Sequence, residues 1–574
     1  MDTLDITNKV VYQIYPKSFN DSNGDGWGDL PGITQKLDYL AELGVDYIWI
    51  TPFFVSPQKD NGYDVADYRS IDPRFGTMGD FEELCLEAHT RGIGIMLDMV
   101  FNHVSSEHEW FQRAIAGDKR YQDYFYFVEG TPDKVPSNWD SKFGGSCWTW
   151  EPHVGKWYLH IFDPTQPDLD WNNPEVRREL VDVLRFWREK GVDGYRFDVI
   201  NLISKPQGWE DDFEGDGRRF YTDGPMVDTW IQEMVHEAGI DGMMTVGEMN
   251  STGLEACIRY TRPQNRELSM VFNFHHLKVD FENGDKWVDR EPDYALLQQT
   301  LANWQEGMQL GGGWNAVFWD NHDQPRALSR FATDGALRVP AAKMLSLFMD
   351  LLRGTPFIYE GDELGATNAH FADISQFNDV ESRNYFKILC ERGKTPEQAL
   401  AIINHHSRDN GRLPMQWDDG ANSGFSTADP WIPAARDTVG CDQREITAAK
   451  EVGCEGSIFE FYRKVVRMRH ELPIVGTGKV RFLDADDAPV LAYARFGELA
   501  VGEPYDAAQA TVEEMSVPGS LVVVANFSGE GRKVGSEVCE LLEQGDWNVA
   551  LGAYDDVEQE TYLRPYEGLV LQRC

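Results

Sequence analysis

Eight short apolar runs, several of which end in polar or charged residues, constrain the fold of this chain more than any other feature. Continuous apolar runs of this length are typical of strands buried on both faces, as in parallel sheets. Helical patterns lie between them, as at 33–44, 80–92 and 174–191. Eight alternating strand and helix units predict an α/β fold, a (β/α)8 TIM barrel, and make a doubly wound sheet the weaker interpretation. The runs are 10–16, 47–52, 94–103, 194–200, 243–249, 269–274, 315–323 and 356–363.

Two gaps between the runs are too long for simple crossovers. Residues 104–173, rich in aromatic residues, Gly and Pro, predict an inserted B subdomain after the third strand, and residues 364–435 predict an excursion after the eighth. From about residue 480 short strand-like runs replace the helical pattern, which predicts a C-terminal antiparallel β-sandwich domain over 480–574. The barrel is therefore expected to comprise 1–103 and 174–479.

The charge balance and the cysteines limit which partners and which cellular location are expected. A formal net charge of −42 argues against nucleic acid and anionic membranes, and an anionic small substrate would need a local cationic pocket. The chain shows neither a secretory leader nor an apolar run long enough to span a membrane. Its eight cysteines are dispersed, without a C-x-x-C pair. We expect a cytoplasmic protein with free thiols and no organic cofactor, monomeric or weakly homo-oligomeric, that acts on a small molecule.

Carboxylates occur where the predicted strands end, which is where the chemistry of a barrel lies. Charged residues in such runs are costly to bury unless they are paired or used. Ion pairs that join strand ends could account for any single residue, but they explain the whole set poorly. Two or three converging carboxylates are what glycosidic bond cleavage requires. The acids are Asp98, Asp198, Glu248 and Asp323, with His103, Arg196 and His322 beside them.

The spacing within the fourth run suggests how two of these residues cooperate. Arg196 and Asp198 are two apart on a strand, so both side chains point to the same face. The guanidinium would hold Asp198 ionised as a nucleophile. Glu248, as a proton donor, must carry a proton near neutral pH, which burial or the charges of Asp198 and Asp323 would favour.

Four motifs closely resemble the signature regions of the α-amylase family of glycoside hydrolases, glycoside hydrolase family 13: "DMVFNH", "GYRFDVI", "VGEM" and "NHDQPR". That family is retaining, so the resemblance implies Asp198 as nucleophile, Glu248 as acid/base and Asp323 as the third acid, which acts on the bound sugar. Without the resemblance, a surface salt bridge would be the default reading of Asp60 and Arg408. The resemblance further implies a pocket for the terminal glucose lined by Asp60, Tyr63, His103, Arg196, His322 and Arg408.

Within the family, "PQKDNGYDV" and "SRDNGRLPMQWDD" resemble the oligo-1,6-glucosidases, and Val199 after the nucleophile is like members that cleave bonds other than α-1,4. "EGDGRRFYTDGP" and "ELSMVFNFHHLKVDF" resemble the trehalose-6-phosphate hydrolase branch more closely. The resemblance implies hydrolysis of trehalose 6-phosphate to glucose and glucose 6-phosphate, in trehalose catabolism. Cleavage of α-1,6-linked gluco-oligosaccharides is the alternative. A non-catalytic transporter subunit is disfavoured because the three acids are present, and the balance of hydrolysis and transfer stays open.

A phosphorylated substrate needs a cationic group, because a sugar phosphate carries about −1.5 to −2 charges near pH 7. His275, His276 and Lys278 follow the sixth run, so the barrel prediction places them on the catalytic face as a cationic cluster. Arg218 and Arg219 are further candidates. The alternative is that Lys278 is a solvated loop lysine and the histidines pack against their neighbours. Lys278 is the predicted phosphate ligand.

The stretch "DSNGDGWGDL", residues 21–30, has the oxygen donors and glycines of a loop that wraps a hard cation such as Ca²⁺. A calcium sensor is improbable, because Gly32 stands where an EF-hand loop has its bidentate Glu. The family resemblance implies a structural Ca²⁺. A glycine-rich turn with Asx caps and no metal is the alternative. The implied ligands are Asp21, Asn23, Asp25, the carbonyl of Trp27, and Asp29.

Overall fold

The computed structural model describes residues 5–249, 251–434, 437–438, 441–442, 445–483, 488–557 and 561–574. These residues divide into two compact units. In the part of the chain described, no helix is long and apolar enough to cross a membrane. The first unit comprises 49–90 and 94–273, and the second comprises 5–48, 91–93 and 274–574.

Eight parallel strands form the barrel sheet, and the predicted TIM barrel is confirmed. Along the sheet the strands run in order from the sixth back to the first, followed by the eighth and the seventh. Each strand lies within one of the eight apolar runs or overlaps it, so the runs identified every barrel strand. The strands are Val11–Ile14, Tyr47–Ile50, Gly94–Val100, Gly194–Asp198, Met244–Glu248, Met270–Phe272, Ala316–Val317 and Thr355–Tyr359.

Helices follow the strands in sequence, as the alternating pattern predicts. Pro174–Glu189 begins where Asn173 accepts a hydrogen bond from the Glu175 amide, with proline in the first turn. The predicted helix 33–44 is instead two helices, because the helix is interrupted at Lys36. The first of them also starts earlier than predicted, at Leu30. The helices after successive strands are Leu30–Gln35 with Leu37–Leu43, Met78–Thr90, Pro174–Glu189, Val227–Ala238, Leu254–Thr261, Tyr294–Gly311, Arg338–Asp350 and Ile458–Glu471.

The region 104–173 forms a small antiparallel sheet with two short helices, consistent with the predicted insertion. Its aromatic residues build a separate apolar cluster that includes Trp139, Trp148 and Trp157, and this cluster also takes in Leu202 from the segment after the fourth strand. The strands are Phe127–Glu129, Lys156–Leu159 and Trp148–Glu151 in sheet order, and the helices are Glu109–Ile115 and Lys119–Gln122. A two-stranded antiparallel pair, Phe54–Val55 and Asp67–Ile71, precedes them in the chain.

The excursion after the eighth strand carries two α-helices and has its own apolar cluster around Phe377 and Ile403. Its elements are Val380–Glu391 and Pro396–His406, with short 3-10 turns at Asp362–Leu364, Ile374–Gln376, Arg408–Arg412 and Ala421–Gly424. Short elements elsewhere are Pro16–Phe19, Ile200–Leu202, Arg218–Tyr221, Pro263–Asn265, His275–Lys278, Ala327–Phe331, Asp437–Thr438, Cys441–Asp442, Ala448–Glu451 and Pro473–Thr477.

The C-terminal region contains an antiparallel sheet of five strands, which confirms the predicted antiparallel β domain, whereas its sandwich arrangement stays a prediction. One face packs on an apolar cluster that includes Val522, Val538 and Leu571, and Tyr493 on the other face donates to the Phe348 carbonyl. The strands in sheet order are Lys479–Leu483, Val490–Phe496, Leu521–Asn526, Gly568–Arg573 and Trp547–Gly552. The remaining elements are Ala507–Gln509, Val512–Met515, Ser536–Leu542 and the pair Arg532–Lys533 with Tyr562–Leu563.

Candidate active site

In the first unit, one buried arginine gathers carboxylates from the ends of three neighbouring strands. The Arg196 Nη1 donates to Asp98 Oδ1 at 2.6 Å and to Asp198 Oδ1 at 2.8 Å. Its Nη2 donates to Glu248 Oε2. The parallel pairing of the third, fourth and fifth strands places these residues side by side. The structure therefore brings together three of the four strand-end acids that the sequence singled out.

Asp98 is the most buried of the three acids and works as a support for the guanidinium. Its second oxygen accepts from the Tyr63 hydroxyl at 2.9 Å and from Trp49 Nε1 at 3.2 Å. Burial raises the pKa of Asp98 above its ordinary range; the Arg196 guanidinium opposes the rise and the Asp198 carboxylate adds to it. Tyr63, predicted to line the sugar pocket, thus contacts the acid cluster directly.

The backbone directly after Asp198 is strained. Val199 has φ +37° in the left-handed region, which a β-branched residue rarely adopts. Such outliers persist where the surrounding structure fixes them, and they concentrate at functional sites. The strain ends the fourth strand immediately after the predicted nucleophile.

The other pocket residues predicted for the first unit form a buried network around Gln166. The Gln166 Nε2 donates to Asp60 Oδ2 at 3.0 Å and to the Tyr63 carbonyl at 3.1 Å. His103 Nε2 donates to the same carbonyl at 3.0 Å, and Asn102 Nδ2 donates to its Nδ1. Burial lowers the pKa of His103, so the ring is neutral near pH 7. Asp60, Tyr63 and His103 therefore lie together, and the Asp60 carboxylate is buried beside Gln166 rather than placed at the surface.

In the second unit, Asp323 is held by two arginines and a histidine. The Arg412 Nη2 donates to Asp323 Oδ1 at 2.8 Å, and the Arg408 Nη1 reaches the same oxygen at 3.2 Å. His322 Nε2 lies 3.3 Å from Asp323 Oδ2. Gln13 Nε2 donates to His322 Nδ1 at 2.7 Å, which leaves the ring proton on the nitrogen that faces Asp323. The Asp323 side chain is 34% exposed, so this carboxylate remains open to solvent.

The Arg408–Arg412 turn explains why both arginines reach Asp323. This 3-10 turn starts at Ser407, whose hydroxyl accepts from the Asp409 amide. Arg408 also donates to Asp379 Oδ1 at 2.6 Å. Despite burial, which opposes it, the guanidinium of Arg408 lowers the pKa of Asp379 below its usual range, with Arg412 adding to the effect. Arg408 is thus part of a buried charge network, unlike the surface salt bridge that was the alternative.

In the segment after the sixth strand, the two histidines and the lysine have different environments. His275 packs against Trp304 with ring centroids 4.6 Å apart, and His276 donates from Nε2 to the Phe318 carbonyl at 2.9 Å. Burial lowers the pKa of His275 to about 4 and that of His276 to about 3. Both rings are therefore neutral near pH 7, so the predicted cationic cluster reduces to Lys278, which is exposed. Packing of the histidines, the alternative, is what the structure shows.

Arg218 and Arg219 are paired with acids of their own loop. Arg218 donates to Asp216 and Arg219 to Glu214, each at 2.5 Å, and Arg219 also lies 2.9 Å from Asp212. Their charges are largely compensated locally, so neither supplies uncompensated positive charge.

The residues of the predicted calcium loop already hold the loop closed. Asp21 accepts from the amides of Asn23, Gly24 and Gly26 and from Ser426 Oγ. Asp29 caps the following helix through the Gly32 amide. The donor set, carboxylates with an amide and a carbonyl oxygen, fits a hard cation in its chemistry. Among the described residues, the three carboxylates of this loop do not all lie within 4.8 Å of one another, and Asp25 is exposed.

Sequence reasoning missed several residues that support the site. They contact predicted site residues that lie far away in the chain, so no local sequence pattern indicates them. These residues are Arg412, Asp379, Gln166 and Gln13. One signal was available: Arg412 lies four residues after Arg408, about one turn away, so both arginines can act on one partner.

A parallel eight-stranded barrel with carboxylates and arginines at its strand ends defines an enzyme of the glycoside hydrolase class. The sequence profile of the alpha-amylase catalytic domain matches residues 13–478. The chain belongs to the alpha-amylase family, glycoside hydrolase family 13.

Similar proteins cover nearly the whole chain. It is 46% identical to the trehalose-6-phosphate hydrolase of Bacillus subtilis (strain 168), over 98% of this chain and 97% of that protein. It is 44% identical to the oligo-1,6-glucosidase of Parageobacillus thermoglucosidasius, over 85% and 87%. The crystal structure of Bacillus licheniformis trehalose-6-phosphate hydrolase (TreA) matches with a TM-score of 0.90 and 45% identity, over 99% of both chains.

Proposed function

We propose that this glycoside hydrolase cleaves trehalose 6-phosphate to glucose and glucose 6-phosphate with retention of configuration. The observation that carries the chemistry is the contact of one guanidinium, Arg196, with Asp98, Asp198 and Glu248. Two carboxylates that flank a glycosidic bond are the requirement for a retaining mechanism. The substrate choice is supported by similarity to trehalose-6-phosphate hydrolases over nearly the entire chain.

In the proposed mechanism Asp198 attacks the anomeric carbon of the non-phosphorylated glucose while Glu248 donates a proton to the leaving oxygen. The Arg196 contact with Asp198 keeps the nucleophile ionised and aimed. The Arg196 contact with Glu248 must be exchanged for the glycosidic oxygen when the substrate binds. Water then hydrolyses the glycosyl–enzyme ester, with Glu248 accepting the proton.

Asp323 is proposed to stabilise the distorted sugar, as the third acid of the family. Its solvent-open carboxylate, fixed by Arg408 and Arg412, is suited to accept hydrogen bonds from sugar hydroxyls. Asp60, Tyr63 and His103 are proposed to bind the terminal glucose, because their polar groups lie in one buried network.

Lys278 is proposed to bind the phosphate. It is exposed on the turn that follows the sixth strand, and the neighbouring histidines are neutral, so the lysine supplies the positive charge of this segment. A charge-assisted contact contributes about 1.5–3 kcal/mol, so Lys278→Ala should raise KM for trehalose 6-phosphate by about 10- to 100-fold, with little change in kcat. Lys394→Ala, which removes another exposed lysine, is the matched control.

The decisive experiment is a panel of kcat/KM values for trehalose 6-phosphate, trehalose, isomaltose, sucrose and maltose. Preference for the phosphate ester, lost in Lys278→Ala and kept in Lys394→Ala, is the expected result. Faster turnover of free trehalose or isomaltose would contradict the proposed substrate. An equal effect of both lysine variants would show that general surface charge, not a phosphate contact, is responsible.

Oligo-1,6-glucosidase activity is the second candidate function. It is favoured by the 44% identity to an oligo-1,6-glucosidase and by Val199, which directly follows the nucleophile. The same panel separates the two functions, because isomaltose would then be the better substrate. Product analysis by anomeric and transfer-product chromatography would measure how much glucosyl transfer accompanies hydrolysis.

We further propose that the loop 21–30 binds a structural Ca²⁺ through Asp21, Asn23, Asp25, Asp29 and the Trp27 carbonyl. Because the loop is already closed by its own hydrogen bonds, the ion should stabilise the fold rather than create it. When Ca²⁺ is added back to the chelated protein, titration calorimetry should show binding and thermal unfolding should show a higher Tm. Asp25→Asn should weaken the binding and reduce the rise in Tm. If neither is seen, the loop is a metal-free turn.

The free thiols support our proposal of a cytoplasmic location. The seven cysteines whose side chains the structure describes are free, and the Cys441 side chain lies outside the described residues. We also propose a monomer or weak homo-oligomer, which analytical ultracentrifugation would test.

A further inference from the structure

The turn that carries Lys278 is exposed at the lysine and buried around it. Leu277 is almost fully buried, as is Asp280 just beyond the turn. A flexible lysine can bind a phosphate selectively only if the backbone beneath it is fixed, because ordering a loose loop costs free energy on binding. The groups that fix this turn therefore bear on substrate choice.

One buried guanidinium holds the turn on both sides of Lys278. Arg330 Nε and Nη2 donate to the two oxygens of Asp280, each at 2.7 Å, and both side chains are at most 2% exposed. Arg330 Nη2 also donates to the Leu277 carbonyl. The residues that flank Lys278 in the chain are thus tied to a single side chain.

The third arm of the same guanidinium reaches toward Asp323. Arg330 Nη1 donates to Gln324 Oε1 at 2.9 Å, and Gln324 directly follows Asp323 in the chain. Arg330 itself lies in the short helix Ala327–Phe331 that follows. The guanidinium therefore connects the lysine-bearing turn with the segment of the predicted third acid.

Two histidines beside Asp280 raise the question of a metal ion instead. Asp280, His405 and His406 offer ligand atoms within 4.8 Å of one another, the one such trio in the part of the chain described. However, Arg330 already neutralises Asp280, so a bound cation would face the guanidinium without a compensating charge. His406 Nε2 instead donates to the Val288 carbonyl at 2.9 Å, which helps to hold the chain after the turn. We therefore interpret the cluster as a group of contacts that holds the turn and the chain after it in place.

We propose that the Arg330–Asp280 ion pair positions the His275–Lys278 turn and thereby sets the preference for a phosphorylated over a non-phosphorylated substrate. Arg330 is a positioning residue in this role, since it acts through the turn and through Lys278. The inference rests on the proposed phosphate contact of Lys278.

Two conservative variants test the pair. Lysine at position 330 keeps the charge, but its single ammonium cannot hold both Asp280 oxygens, the Leu277 carbonyl and Gln324 together. Asp280→Asn keeps the shape and removes the charge. We expect both R330K and D280N to raise KM for trehalose 6-phosphate about tenfold, and kcat/KM to fall at least about threefold more on this ester than on p-nitrophenyl α-D-glucopyranoside.

The matched control is Arg338→Lys. Arg338 is a buried arginine of the same unit that donates to the Leu364 and Gly365 carbonyls. It should leave the ratio of the two kcat/KM values unchanged. An equal loss on both substrates in R330K and D280N, or no loss on either while Tm shows folded protein, would overturn the proposal. If the unaltered enzyme itself shows no preference for the phosphate ester, the proposed function fails first, and that result is distinct from a failure of the variants.

Discussion

Replacing Arg412 with methionine tests whether the Arg408–Arg412 turn orients Asp323 for catalysis. The Arg412 side chain is 1% exposed, and it donates to the Asp323 carboxylate and to the His322 carbonyl, each at 2.8 Å. Methionine is unbranched and adaptable, so it fills much of the same buried space while removing both hydrogen bonds.

The size of the effect follows from these two bonds. Both are donated by the charged guanidinium, and a hydrogen bond to a charged group contributes about 1.5–3 kcal/mol, so the two bonds together contribute about 3–6 kcal/mol. Arg408 still reaches the same Asp323 oxygen at 3.2 Å, which compensates part of the loss. A net loss of about 2–4 kcal/mol of transition-state stabilisation corresponds to a kcat/KM about 30- to 1000-fold lower.

The assay is steady-state hydrolysis of trehalose 6-phosphate and of p-nitrophenyl α-D-glucopyranoside, with Tm measured for each variant. Because Asp323 is proposed to act on the glucose that both substrates share, Arg412→Met should lower both rates alike. Arg353→Met, at another buried arginine of the same unit, controls for general destabilisation. If Arg412→Met is folded and keeps kcat/KM within about threefold, Asp323 does not depend on this contact and the reasoning is wrong.

Three further predictions concern single buried carboxyl and ammonium groups. Asp198→Asn should abolish turnover of every substrate, whereas Glu248→Gln should still release nitrophenolate in a burst, because this leaving group needs no proton. Burial raises the pKa of Asp350 from 3.8 to about 7, so the group favours folding at low pH and this advantage is lost as pH rises from about 4 to 7. Asp350→Asn should therefore raise the free energy of unfolding over that of the unaltered protein by up to about 3 kcal/mol more at pH 8 than at pH 5, in urea titrations at both pH values; parallel pH profiles would contradict it. Lys205→Met leaves the buried Asp168 without its ammonium at 3.0 Å, so it should cost about 3–5 kcal/mol by the same titration.

The barrel could be predicted from the sequence because its signal is local. A strand buried on both faces must be apolar throughout, so the eight runs mark eight strands whatever the rest of the chain does. The strand-end acids follow from the same argument, since a polar residue at that position is either paired or used. The break at Lys36 inside a predicted helix shows the limit of periodicity, which places helices better than it places their interruptions.

The supporting contacts could not be predicted because they join segments that are far apart in the chain. Arg412 reaches Asp323 across 89 residues, and Arg330 reaches Asp280 across 50. The state of the two histidines after the sixth strand also depends on burial: the sequence shows two residues that could carry charge, whereas their packing makes both neutral. The residue types in a motif therefore do not by themselves show which side chains carry a charge in the folded protein.

A physical pattern links these distant contacts. In a chain with a net charge of −42, several carboxylates at the candidate site or beside it are held by guanidinium groups that each bond two or more partners at once. Arg196, Arg412 and Arg330 use the planar fork to hold two partners in fixed directions, which a lysine ammonium cannot do with the same geometry. If direction rather than charge is what the site requires, Arg→Lys at each of these positions should lose activity or specificity while the net charge stays the same. If charge alone were sufficient, the three lysine variants would keep both.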